Sequence, residues 1–215
     1  MESRANDLTH EEIGALVIRK NPVILEIGAH DGTDSLRFLQ TFSECRLHCF
    51  ECEPRAIAKW KHRVGPKAML HEVALSDSIG TAEFHQSTGS PRPGVTDWDF
   101  SGSLAQPTGH LTYSPWCKFE NKIVVPTTTL DEWEKSFNFG YIDFIWSDIQ
   151  GAESRMFPHA ITTVRKTRFV KAECHPKQMY EGQWAECQMV DFFARGGFSC
   201  LGRYADDLLF KNNAF

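Results

Sequence analysis

The feature that most narrows the fold of this chain is Val23-Ile24-Leu25-Glu26-Ile27, a short apolar run that ends in the turn Gly28-Ala29-His30-Asp31-Gly32. A run this short and this apolar suits a strand buried on both faces of a parallel sheet. Its neighbours repeat the theme. Upstream, Thr9 and Glu12 form a capping box that opens a helix through Ile13, Leu16 and Val17, which Asn21-Pro22 ends. Downstream, residues 33–42 carry helical spacing through Leu36, Leu39 and Phe42. Residues 46–50 then read as a second strand, 55–63 as a helix, 71–76 as a third strand and 80–86 as an added strand. A strand at 123–125, a helix opening near Thr129 and Asp131, and a strand at 141–147 continue the alternation. A helix at 152–157 stopped by Pro158, a strand at 169–173 and a helix at 184–195 ended by Gly196-Gly197 follow.

Strands alternating with helices predict a mostly parallel sheet covered on both faces. The last strands, 198–203 and 208–211, leave only residues 204–207 between them, so they form an antiparallel hairpin. A pure dinucleotide-binding sheet finishes on parallel strands, and this one does not. Residues 87–118 break the rhythm with Pro91, Pro93, Pro107 and Pro115, and read as a long insertion of the kind that forms lids and binding loops.

A length of 215 residues suits one domain spanning the whole chain, residues 1–215, with 1–20 as an N-terminal helix. A net charge of −5 argues against a general nucleic-acid or anionic-membrane binder. No apolar run is long enough for a membrane span and residues 1–7 are polar, so the expectation is a soluble, cytoplasmic protein. Seven cysteines without a secretion signal read as free thiols. Cys45, Cys49 and Cys52 have the spacing of an iron–sulfur cluster site. Cys49 lies inside the second strand, however, which spreads the three along about 20 Å of extended chain, and core thiols are the better reading.

The first strand delivers residues 26–32 to the carboxyl edge of the sheet, where open α/β folds bind their ligands. The G-x-G-x-x-G spacing is not met, which disfavours a pyrophosphate-bearing cofactor. Gly28 lets the backbone turn and leaves room for an adenosyl group. The next helix offers N–H groups near residues 32–34 to an anion such as a carboxylate, and Glu26 can accept from an ammonium. Glu51 stands 23 residues after Gly28, about where an acidic side chain reaches ribose hydroxyls.

The blocks E-I-G-A-H-D-G, F-E-C-E-P, V-A-L-S-D-S-I-G-T-A-E-F, S-G-S-L, T-T-L-D and I-D-F-I-W-S-D-I-Q-G-A-E occur here in the order found in the FkbM family of S-adenosylmethionine-dependent methyltransferases, which this chain resembles over about residues 23–176. The resemblance implies a Rossmann-like class I fold: a mostly parallel seven-stranded sheet with an antiparallel last strand and helices on both faces. It implies S-adenosyl-L-methionine as cofactor and a hydroxyl of a sugar, glycan or related natural product as acceptor. Glu26, Gly28 and Gly32 would hold the methionine portion, with Ala29, His30 and Asp31 of the same turn. Glu51 would hold ribose, Ala74 and Leu75 would lie beside adenine, and Asp148 would stand near the reacting end. The family pattern I-K-x-D-x-E-G is broken at two positions, where Trp146 replaces Lys and Gln150 replaces Glu.

Methyl transfer to an alcohol needs alignment, exclusion of water and a base. Asp148, at the end of the fourth parallel strand, is the first candidate for that base, with capping of the helix near Gly151 as its alternative role. His175, before Pro176, is the second, with turn stabilisation as its alternative. Asp148, Glu173 and His175 could together take a divalent ion, though the spacing calls for no metal. Acceptor recognition falls to the insertion, through Trp98, Ser101 and Ser103 with Phe100, Tyr113, Trp116, Asp97 and Asp99, and to Trp146 as a wall; the plainer role of those aromatics is packing the loop. The rival readings are an NAD(P)-dependent oxidoreductase, because Glu51 would serve its ribose equally well, and a catalytically inactive binding module of the same fold.

Overall fold

The computed structural model of the chain describes residues 2–4, 6–95 and 97–215. Helix α1 (His10–Val17) begins where the sequence says it must. The Thr9 hydroxyl accepts from the Glu12 amide and the Glu12 carboxylate accepts from the Thr9 amide, a closed capping box. The helix ends earlier than Asn21-Pro22, because Ile18 turns into the left-handed region at φ 44°.

The strands are β1 (Glu2–Arg4), β2 (Val23–Ile27), β3 (Arg46–Phe50), β4 (Met69–His71), β5 (Ala74–Leu75), β6 (Gly80–Gly89), β7 (Cys117–Thr128), β8 (Ile142–Ser147), β9 (Thr167–Glu173), β10 (Phe198–Tyr204) and β11 (Asp207–Asn212). The remaining helices are α2 (Thr33–Thr41), α3 (Pro54–Arg63), α4 (Gly109–Tyr113), α5 (Leu130–Lys135), α6 (Glu153–Met156), α7 (Ile161–Arg165) and α8 (Glu186–Arg195).

The main sheet runs β1-β10-β11-β9-β8-β2-β3-β4. Strand β11 is antiparallel to both β9 and β10, and the other pairings are parallel. The seven expected strands are there, and β1 adds an eighth at the edge. Side chains alternate across β2 and β8. Leu25, Ile27, Ile142 and Ile145 enter a core with Phe157, Phe193 and Phe210 on one face, while Ile24, Phe144 and Trp146 join Phe38 and Trp60 on the other. Filling both faces is what makes the central strands uniformly apolar, each buried Ile or Phe contributing roughly 1.5–3 kcal/mol.

Three expectations change. The strand expected over 71–76 divides: β4 stays in the main sheet, whereas β5 joins β7 and β6 in a separate three-stranded sheet. The irregular segment is shorter than 87–118, because β6 runs out to Gly89 and β7 begins at Cys117, making a long antiparallel arm with the insertion at its tip. The helix expected over 152–157 covers only Glu153–Met156, and Pro158 sits in a following 3-10 turn (Phe157–His159) rather than stopping the segment. No helix among the described residues is long and apolar enough to cross a membrane.

Chain direction places the crevice. From β2 the chain proceeds to β3 on one side, while β8 occupies the other, so the carboxyl ends of β2 and β8 flank the point where strand order reverses.

Candidate active site

At that point the turn after β2 crosses the turn after β8. Gly28 has φ +89°, and a Cβ there would lie 1.9 Å from the Asp148 carbonyl oxygen. The glycine is required by the crossing of two backbones, so the space a side chain would need belongs to Asp148 and not to a ligand. The carboxylate of Glu51 lies beside it at the end of β3. It accepts three backbone hydrogen bonds, from His30 (2.8 Å), Cys52 (2.7 Å) and Glu53 (2.8 Å). Burial still raises its pKa above the ordinary glutamate value, although those donors pull it down. Fixed in this way, the carboxylate is presented in one orientation to a cleft of about 420 Å³.

Gly28, Ala29, His30, Asp31, Glu51, Ala74 and Leu75 line that cleft, as do Trp146 and Asp148. Val73, Phe84, Leu104, Ile149 and Ala152 complete an apolar slot beside Ala74 and Leu75. The insertion closes one side. Asp99 is 5% exposed and binds His30 Nε2 at 2.9 Å and the Lys59 ammonium. Burial opposes its ionisation, but the hydrogen bonds from His30 and Lys59 hold its pKa well down. Phe100 lies over the His30 ring with centroids 4.0 Å apart.

Glu26 and Gly32 do not line the cleft. Glu26 sits on the opposite side of the pleat, 1% exposed, its carboxyl taking the Ser35 hydroxyl and the Cys49 thiol (3.2 Å), and burial pushes its pKa up to about 8. Gly32 takes a left-handed conformation at the start of α2, where a Cβ would meet Val64 at 2.5 Å and Trp60 at 2.9 Å. Two of the three amides expected to face a carboxylate are occupied: Gly32 N–H donates to Ala29 (2.9 Å) and Thr33 N–H to the Asp31 side chain (3.0 Å). Of the three closely spaced cysteines Cys49 is a core thiol, whereas Cys45 and Cys52 are partly buried against the core; burial pushes Cys49 and Cys52 well above the ordinary thiol pKa, and all seven cysteines are free.

The carboxyl end of β8 is organised around Asp148. Its Oδ1 accepts from the Gln150 amide at 2.8 Å, and the same nitrogen donates to Glu173 at 3.1 Å. The Tyr180 hydroxyl lies 3.0 Å from Gln150 Oε1 and 2.8 Å from the Ser101 carbonyl, its single proton available to one of them. Gln150 holds this position with φ 55°, a strained turn that the neighbouring contacts enforce. Burial and the nearby Asp148, Glu153 and Asp207 carboxylates raise the pKa of Glu173 well above normal. Asp148 does not cap α6, whose N-cap residue Ala152 makes no side-chain cap; Glu153, the first residue of the helix, instead accepts from the Ile149 amide at 2.9 Å.

Where the family pattern carries lysine, the ring of Trp146 lies beneath the ammonium of Lys171, 3.6 Å from its centroid. Lys171 is the register partner of Trp146 on β9, is 3% exposed and pairs with Asp207 at 2.7 Å. A cation over a buried indole contributes on the order of 2 kcal/mol. Sequence reasoning missed Lys171, although a lysine inside the run Phe169-Val170-Lys171-Ala172 was its signal; its partnership with Trp146 depends on strand pairing.

The remaining expected residues are dispersed. His175 lies outside the cleft, its Nδ1 accepting from the Lys177 amide at 3.0 Å and its Nε2 3.9 Å from Asp206, the turn-stabilising alternative. Trp98 and Ser101 are bonded to each other at 2.9 Å and line a separate cavity of about 270 Å³ with Trp116, His110 and His175. Ser103 is 1% exposed and ties the insertion to the site loop by donating to the Gln150 carbonyl at 2.7 Å. Among the described residues no three ligating side chains converge on a metal position, so Asp148, Glu173 and His175 do not form one.

Residues 26–200 match the methyltransferase FkbM domain. The chain belongs to the FkbM methyltransferase family. Among curated proteins, the 2-O-methyltransferase NoeI of Sinorhizobium fredii is 42% identical over 176 residues, covering 81% of this chain and 72% of that protein. Among solved structures, fibrillarin of Aeropyrum pernix in complex with S-adenosyl-L-methionine is 10% identical over 91% of this chain and 67% of its own, with a TM-score of 0.48. The 1,6-didemethyltoxoflavin-N1-methyltransferase of Burkholderia thailandensis is 11% identical over 94% and 77%, with a TM-score of 0.46. Likenesses that distant decide nothing about the site.

This FkbM methyltransferase uses S-adenosyl-L-methionine as its donor. The cleft sets an oriented carboxylate beside an apolar slot at the carboxyl edge of the sheet, where open α/β folds bind their ligands.

Proposed function

We propose that this FkbM methyltransferase transfers a methyl group to a hydroxyl of a sugar or related polyhydroxylated natural product, with Asp148 as the base. One observation carries the reading. Asp148 lines both the cofactor cleft and a second, polar cavity, and its Oδ2 accepts no hydrogen bond from the described residues. The name of the relative NoeI, a 2-O-methyltransferase, supports oxygen as the acceptor atom.

In this reading Glu51 holds the ribose hydroxyls, Ala74 and Leu75 flank adenine, and residues 28–31 frame the methionine portion. Bound there, S-adenosyl-L-methionine supplies a methyl group on a sulfonium, open to in-line displacement. Gln150 fixes the Asp148 carboxylate through Oδ1, leaving Oδ2 to receive the acceptor's hydroxyl proton as the new oxygen–carbon bond forms. Asp99 and Phe100 keep water from the cleft on the side of the insertion.

The test is Asp148→Asn, an isosteric change that keeps the Gln150 contact. Radiolabelled methyl transfer to simple glycosides is expected to fall by about 10²–10⁴ in kcat. Calorimetric affinity for S-adenosylhomocysteine is expected to stay within about twofold, since no uniform binding contact is lost. An unchanged kcat removes Asp148 from the reaction.

A further inference from the structure

The second cavity encloses about 1110 Å³ between the start of α1, the outer side of α2 and the carboxyl ends of β8, β9 and the β10–β11 turn. It adjoins the cofactor cleft directly, because Asp34, Trp146 and Asp148 line both. The insertion does not line it, and it meets the Trp98 cavity only at Glu173 and Asp206.

Its wall has a definite chemistry. Among the described residues, seven carboxylates line it against two cationic side chains, Arg37 and Lys171. Both cations are engaged: Arg37 with Asp34 at 2.9 Å and Lys171 with Asp207 at 2.7 Å. The wall is therefore rich in acceptors and offers no uncommitted cation to an anionic ligand.

One lining group lacks a partner. His10 is 7% exposed, and its Nε2 makes no hydrogen bond. The ring is wedged against Phe38 and Trp146, with centroids 4.5 and 5.3 Å away, and the nearest carboxylate, Asp34, stands 3.7 Å from Nε2. Burial lowers its pKa, so at neutral pH it is an uncharged imidazole able to pair with a hydroxyl. A buried polar atom left without a partner is unfavourable unless something else supplies one.

We infer that this cavity is the acceptor site and takes an uncharged polyhydroxylated ligand, one hydroxyl meeting Asp148 and another meeting His10, while its carboxylates repel acceptors that carry carboxylate or phosphate. The inference rests on the methyl-transfer reading above and adds the acceptor's charge class and a residue from the N-terminal helix. His10 is 138 positions from Asp148 in sequence, and the fold alone brings them to one cavity.

The experiment is methyl transfer from tritiated S-adenosyl-L-methionine by the full chain to p-nitrophenyl glycosides of neutral hexoses and deoxyhexoses, the matching uronides and the sugar phosphates. Neutral glycosides are expected to exceed the charged ones by about tenfold or more in kcat/KM. His10→Ala is expected to raise acceptor KM about tenfold with S-adenosylhomocysteine affinity unchanged, and His10→Asn to recover part of the loss. Equal use of uronides overturns the inference, as does an unchanged KM in His10→Ala. A rise in KM with Trp116→Ala but not with His10→Ala moves the acceptor to the aromatic cavity and also overturns it. Should His10→Ala fail to fold in a thermal melt, the neutral-against-charged comparison on the unaltered chain decides. Failure to methylate any member of the panel sinks the methyl-transfer reading itself; transfer without discrimination sinks only the acceptor site.

Discussion

On the β2–β3 side of the crevice, polar groups are satisfied by nearby backbone: Glu51 receives three amides from residues within 21 positions of it, and the Asp31 side chain receives the Thr33 amide. On the β8–β9 side, side chains hold side chains across long stretches of sequence. Gln150 joins Asp148 to Glu173, Lys171 covers Trp146, and Tyr180 reaches Ser101. The first side is a rigid cradle and the second a network of mutually repelling carboxylates quieted by one lysine and one amide. Groups held by nearby backbone stay fixed when side chains elsewhere change, whereas a side-chain network alters with each member exchanged, and Trp146 and Gln150 belong to that network.

The harshest way to break the contrast is Gly28→Ala. A methyl group there meets the Asp148 carbonyl at 1.9 Å in a backbone conformation that L-residues disfavour. The expected cost is on the order of 3 kcal/mol or more, seen as a lower melting temperature together with loss of S-adenosylhomocysteine binding. A stable, binding variant shows that the cradle is softer than described.

Titration separates the two sides by sign. On the cradle side, His48 Nδ1 and His71 Nε2 lie 3.1 Å apart, and burial lowers each pKa from 6.5 to about 4. Groups with depressed folded values contribute stability fully present above pH 6.5 and lost as pH falls toward 4. On the network side, burial raises Glu153 from 4.5 to about 7 and Asp207 from 3.8 to about 6. Their contribution is present below those ordinary values and is lost as pH rises through the raised ones. Each group has a limiting slope of about 1.4 kcal/mol per pH unit. The windows overlap and the slopes oppose, so in urea melts between pH 4.5 and 6.5 His48→Phe should make stability fall more steeply with rising pH, and Glu153→Gln should make it rise. If either variant moves the slope the other way, the assignment is wrong.

The mildest change is Asp99→Asn, which weakens the clasp of the insertion on His30 and Lys59. About 1–2 kcal/mol of cofactor affinity should go, because a charged hydrogen bond becomes a neutral one. Because Asp99 and Phe100 line the cofactor cleft, trimming residues 98–103 is expected to weaken donor binding as well as acceptor turnover, so the insertion belongs to both sides.

Much of the fold was legible because its signals are local. The Thr9–Glu12 box starts a helix by contacts three residues apart, the apolar runs of β2 and β8 declare two-sided burial, and the short link at residues 204–207 requires a hairpin. That Gly28 and Glu51 stand together at the cleft was legible for the same reason, since both sit at strand ends in fixed relation to the sheet. Glu26 was misread because strand alternation turns it from the cleft into the core beneath α2, and Gly32 because it answers to Trp60 and Val64 and not to a ligand. Tertiary structure alone set Lys171 over Trp146, joined Gln150 to Glu173 and Tyr180, sent His175 to a turn and brought His10 toward Asp148. Caps, turns and burial period are written in neighbouring residues. Which side chains meet across strands and from distant helices depends on register and packing, which no local stretch of chain encodes.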